Sequence, residues 1–133
     1  PDNPRALADL GTHLLRTGTW AKPTAIWIAL CTTAPGDAGP GTEVTGGSYA
    51  RQPLHPLDAN WTAASLTDGL SANAPVVTFP TATAAWGIVT HVKLMDAETG
   101  GNMWLWAALT VSQQVNNGGT LSFPAGNIQA TFA

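Results

Sequence analysis

Few residues of this 133-residue chain have both the type and the spacing to do chemistry. Its acids are Asp2, Asp9, Asp37, Glu43, Asp58, Asp68, Asp96 and Glu98. Asp96 and Glu98 are near neighbours, as the two acids of a glycosidase site must be. Such a pair needs one carboxyl in an apolar pocket with a raised pKa. The solvated tip of a chain reversal, where these two fall, is the wrong environment. His13, His55 and His91 share no H-x-H or H-x-x-x-H spacing, and no cysteine pair accompanies them, so no metal ligand set emerges. Cys31 is the one cysteine. It has no partner for an internal disulfide, and its apolar surroundings make it a small buried hydrophobe. No G-x-S-x-G, phosphate loop or dinucleotide fingerprint occurs; residues 36–41 are glycine-rich but lack the Lys-Ser/Thr ending. The inventory predicts neither an enzyme nor a cofactor.

The tryptophans offer more: Trp20, Trp27, Trp61, Trp86, Trp104 and Trp106. Trp104 and Trp106, two apart in an extended run, share a face. Three uses stay open for them. They fill the core, anchor a subunit contact, or form a platform for a sugar.

The elements that must carry these residues are mostly strands. Asn3 suits an N-cap, Pro4 a first helical turn, and Leu7, Leu10, Leu14 and Leu15 make an apolar stripe before Gly18. This predicts one short helix over about residues 4–16. Residues 25–31 are apolar on both faces of a strand. Residues 32–48, rich in Gly, Pro and Thr, form a long loop with almost nothing for a core. Shorter strands are expected at 49–54 and 76–79, with strand or loop at 63–74 and a turn or bulge at Trp86-Gly87. Residues 88–95 and 103–109 flank Asp96-Ala97-Glu98-Thr99-Gly100-Gly101-Asn102, whose Asp and Gly suit a tight reversal, so they form an antiparallel hairpin. Asn116-Asn117-Gly118-Gly119 turns the chain into 121–123. In the last strand, 127–132, Ile128, Ala130 and Phe132 point inward. The fold expected is mainly β, an antiparallel β-sandwich or barrel of jelly-roll type with one short N-terminal helix, in a single domain spanning 1–133.

Composition bounds the role. Apolar residues make up 44% of the chain and charged ones 10%, against about 25% charged in an average domain. A free domain usually stays dispersed through charge, so a surface this poor in ions suits an assembly; a secreted β protein with a Thr/Ser-rich surface is the alternative. Net charge is −3, and Arg5, Arg16, Lys22, Arg51 and Lys93 form no stripe, which argues against direct nucleic-acid binding. No apolar run has the length of a membrane-spanning helix. Asp2, Arg5, Asp9 and Arg16 are unlike a signal peptide, so the chain reads as near full length and as assembled in a host cytoplasm.

Three stretches carry a resemblance. The first runs Ile28-Ala29-Leu30-Cys31-Thr32-Thr33-Ala34-Pro35-Gly36-Asp37-Ala38-Gly39 into Gly41-Thr42-Glu43-Val44-Thr45-Gly46-Gly47-Ser48-Tyr49-Ala50-Arg51-Gln52. The second is Val77-Thr78-Phe79-Pro80-Thr81-Ala82-Thr83-Ala84-Ala85-Trp86-Gly87 with Val89-Thr90-His91. The third is the turn 96–102. In this order, over about residues 20–132, they resemble small structural proteins of tailed bacteriophages, often labelled tail fibre proteins and in some cases similar to capsid decoration (cement) proteins. Met103-Trp104-Leu105-Trp106 and residues 52–60 depart from the family, with more tryptophan in the first and more proline in the second.

The resemblance implies a virion component and carries over no catalytic residue. Thr42, Glu43, Tyr49 and Arg51, with Trp104 and Trp106, are the candidate interface. A fibre needs length from repeats or a coiled coil, and neither is present; a cement protein needs a compact body with extensions. The expectation is therefore a capsid decoration protein on the outer surface of the shell. There it would act as a homotrimer, clamping the major capsid protein or other virion proteins. A tail or tail-fibre component in host attachment is the alternative.

Overall fold

The computed structural model describes residues 23–36, 39–63, 66 and 70–131. Within them the fold is antiparallel β throughout. The strands are β1 (Trp27–Cys31), β2 (Gln52–Pro53), β3 (Leu70–Ala72), β4 (Val77–Thr78), β5 (Gly87–Met95), β6 (Met103–Val115), β7 (Ser122–Phe123) and β8 (Gln129–Thr131). They form a four-stranded sheet, β2-β1-β5-β6, and two small pairs, β3-β8 and β4-β7. No helix occurs among the described residues. The expected helix at about 4–16 lies outside them, as do His13 and the inward Phe132.

β1 behaves as its residues dictate. It is central in its sheet, and Ile28, Ala29, Leu30 and Cys31 are all fully buried, as a strand apolar on both faces should be. One cluster forms the core: Ile28 and Leu30 from β1, Val89 from β5, Val115 at the end of β6, Val77 and Phe123 from the β4-β7 pair, Ile128 just before β8, and Phe79, Ala82, Trp86 and Leu121 between strands. The tip of Phe79 sits against Phe123 with rings 6.2 Å apart and edge-on, and stacks on Tyr49 at 6.2 Å.

The β5-β6 hairpin is the longest-reaching device. Its turn closes by Asp96 N–H donating to the Asn102 carbonyl at 3.1 Å. The Asp96 carboxylate accepts from the Asn102 backbone N–H at 2.7 Å and from its side-chain amide at 3.2 Å. Gly101 has φ +77°, and a Cβ there would lie 2.6 Å from Asp96 Oδ1, so glycine is required twice over. β6 runs to Val115, six residues beyond the expected 109. Between Val89 and His91 the register slips: Val89 faces Gln113 while His91 faces Ala108. Four residues of β6, Leu109–Ser112, thus stand opposite Thr90 alone, a bulge larger than the usual two against one.

The loop at 32–48 corrects its expectation. It is not detached from the core: Val44 is 4% exposed within it, and its N–H donates to the Leu30 carbonyl at 3.0 Å. The Thr32 N–H donates to the Thr42 carbonyl at 2.9 Å. Gly41, at φ +72°, brings the backbone so close to Thr33 O that a Cβ would sit 2.8 Å from it.

Candidate functional site

The polar residues of the candidate interface converge on one guanidinium. Arg51 follows the loop just before β2 and is only 8% exposed. Its Nε and one terminal nitrogen fork onto Glu43 at 2.8 and 2.7 Å. The other terminal nitrogen donates to the carbonyls of Ala97 and Gly100, at 2.7 and 2.8 Å, inside the hairpin turn. Four of the five guanidinium N–H donors are therefore matched. Glu43 also accepts the Tyr49 hydroxyl at 2.7 Å, and that hydroxyl accepts the Leu30 N–H at 3.0 Å. Lys93, opposite Ala29 and 3% exposed, lies 3.8 Å from Glu43 and donates to the Pro40 carbonyl at 3.1 Å. One carboxylate thus ties the loop, the central strand and the hairpin tip together.

The charge states follow from the geometry. Burial pushes the Glu43 carboxyl up, but the Arg51 and Tyr49 hydrogen bonds and the charges of Arg51 and Lys93 outweigh it and hold it below the usual carboxylate range. The bond to Glu43 pushes Arg51 up against its burial. Burial drives the Tyr49 phenol far upward, so it stays neutral. Burial also raises Cys31, keeping it a thiol. Asp96 is treated like Glu43: partial burial raises it, and bonds from the Asn102 backbone, the Trp104 indole and the Asn102 amide bring it below its ordinary value. An acid catalyst needs the opposite shift. The arrangement holds both carboxylates charged in place.

Trp104 joins this system through Asp96, to which its indole N–H donates at 3.2 Å, and it is 8% exposed. A register irregularity next to it, between Leu94 and Met95, interrupts strict alternation. Trp106 stands apart, half-buried opposite Lys93, with its ring 5.8 Å from His91. Thr42 is exposed; its N–H donates to Thr33 Oγ1 at 2.7 Å. The structure therefore brings Glu43, Tyr49, Arg51 and, at one remove, Trp104 together, and leaves Trp106 and Thr42 at the surface. His55 accepts the Ile26 N–H at 3.3 Å and packs edge-on to Trp27, while His91 hydrogen-bonds Thr90 at 2.7 Å. Among the described residues no three His, Cys, Asp or Glu side chains gather as a metal site.

Two buried polar residues escaped the sequence reading. Lys93 looked like any scattered basic residue. Asn73, 1% exposed, donates to the Pro75 and Pro124 carbonyls at 2.8 and 3.1 Å and accepts the Ile128 N–H at 2.8 Å. It latches the segment after β3 to the one before β8. No short-range pattern marks this latch, because two of its three partners lie 51 and 55 residues away.

The fold is mainly antiparallel β, and on this charge-poor chain the polar cluster is bonded internally. Residues 6–131 match the family model described as the podophage GP4 fiber I protein gp80. The chain belongs to that family and is a fibre-type structural protein of a bacteriophage virion. No curated protein matches it.

Proposed function

We propose that this chain is a non-enzymatic subunit of a phage tail fibre, taking part in attachment of the particle to its host. The observation that carries the reading is the fibre-family match over residues 6–131. It favours the tail-fibre alternative over the capsid clamp, which rested on the lack of repeats or a coiled coil. In a fibre of small domains, length comes from stacking copies rather than from one chain. The sheets around one core support a β-sandwich as the repeating body. Its partners are copies of itself, in a closed homo-oligomer of which three is the order we favour, and other virion proteins. Trp106 and Thr42 are the members of the candidate interface left free to meet them.

Particles lacking this chain provide the test. They should fail to adsorb to host cells while keeping their genome on heating as firmly as complete particles. Normal adsorption with early loss of the genome would restore the clamp and remove the fibre role.

A further inference from the structure

We infer that the outer edge of β6, with the groove beside it, is the surface by which a second copy of this chain is bound. The inference deepens the self-association proposed above and rests on it. β6 is the edge of its sheet, and among the described residues no strand pairs with its outer side. Paired with β5 from Gly87 to Met95, it runs alongside nine residues, about 30 Å at about 3.3 Å per residue. Natural edges are guarded by Lys, Pro, charge or a bulge, and of these β6 has the bulge alone. From Thr99 to the end of the chain there is no Asp, Glu, Lys, Arg or His at all, and β6 contains no Pro. In the bulge Leu109 packs against the core, while Val111 is 66% exposed and Thr110, Ser112, Gln113 and Gln114 are also exposed.

Next to the edge lies a groove of about 760 Å³ between β6 and the segments at 120–129. Val92, Leu109, Leu121, Phe123 and Ile128 give it apolar walls, and no ionisable side chain lines it among the described residues. Charge decides the occupant. A charged partner segment would lose its hydration here and find no counter-ion. An uncharged extended segment can satisfy the free backbone groups of β6 by adding a strand and place alternate side chains in the groove. The β6 strand of a second copy has that chemistry: extended and without an ionisable side chain.

The mass of the full chain in solution, measured by sedimentation over a concentration series, tests this. Wild type should associate reversibly. Val111→Lys and Thr110→Lys, both at exposed positions in the bulge, should weaken association at least about tenfold, which is about 1.4 kcal/mol. Val76→Lys, at an equally exposed valine outside the groove, should leave it unchanged. Thermal unfolding of all three variants should stay near wild type. On the unmodified chain, amide exchange over 108–114 should slow as concentration rises. A wild type with the mass of one chain at every concentration overturns the inference, as does association equally affected by all three variants. Association without concentration-dependent exchange at 108–114 places the contact on another surface, which removes this edge and keeps self-association. The fibre role is judged separately, by adsorption.

Discussion

Arg51→Met should lower the unfolding free energy by about 3–5 kcal/mol, the cost of leaving a buried charge without its partner. The methionine matches the stem in length and apolar packing, so the loss reads the polar bonds rather than a cavity. Three acceptors lose their donor together: the Glu43 carboxylate and the carbonyls of Ala97 and Gly100. Domains of this kind have about 5–15 kcal/mol in total, so the variant should unfold at much lower denaturant. The pH dependence supplies a second signature. In wild type the folded-state pKa of Glu43 is depressed. A depressed carboxylate stabilises above its unfolded value and loses that contribution as pH falls through the folded value. Wild-type stability should therefore hold from neutral pH to about pH 5 and fall below the ordinary glutamate value of 4.5. In Arg51→Met, burial dominates at Glu43 and protonation relieves the strain, so the gap to wild type should narrow on acidification. Chemical denaturation at several pH values reads both effects. A loss under 1 kcal/mol, or a gap that widens in acid, would show that the cluster does not hold the loop to the hairpin.

Phe79→Ala should cost about 3–5 kcal/mol through lost transfer energy and the cavity left behind. Phe79 is 1% exposed and meets both Phe123 on the β4-β7 pair and Tyr49 of the Glu43 cluster. It therefore links the two small strands to the polar clamp. A shift of the denaturation midpoint with an unchanged slope is expected. A cost below about 1.5 kcal/mol, the range of a tolerated swap, would mean that the site repacks and that this ring does not organise the core.

What the sequence revealed, and what it hid, follows from the range of the forces involved. The hairpin of β5 and β6 was readable because its signal is local: Asp96 caps the turn, Gly100 and Gly101 supply left-handed backbone at φ +63° and +77°, and apolar runs flank them. β1 was readable because burial on both sides leaves a continuous apolar run. Strands of two or three residues, β2, β3, β4, β7 and β8, were seen only as approximate stretches. They are too short to show alternation and exist because distant chain pairs with them, as Leu70 does with Thr131. The far half of β6 was missed because Thr110 to Gln114 are polar or exposed, as a bulged free edge permits.

The loop at 32–48 misled for a related reason. Glycine and proline dominate its composition, while one valine and one glutamate fix it: Val44 enters the core and Glu43 takes the clamp. Glu43, Tyr49 and Arg51, expected at an interface, instead bond to one another inside the fold. The sequence did not show that they face one another and a turn 46 residues further on. A cation eight residues from an acid is ordinary on a surface; here a carboxylate, two carbonyls and a phenol enclose it.

The central claim is that the protein is part of a tail fibre, and its place on the particle tests this most directly. Complete particles carrying an epitope tag on this chain, labelled with gold-conjugated antibody and imaged by electron microscopy, should show label at the tail and its fibres, with the shell bare. Label distributed over the whole shell, with none at the tail, would contradict the account.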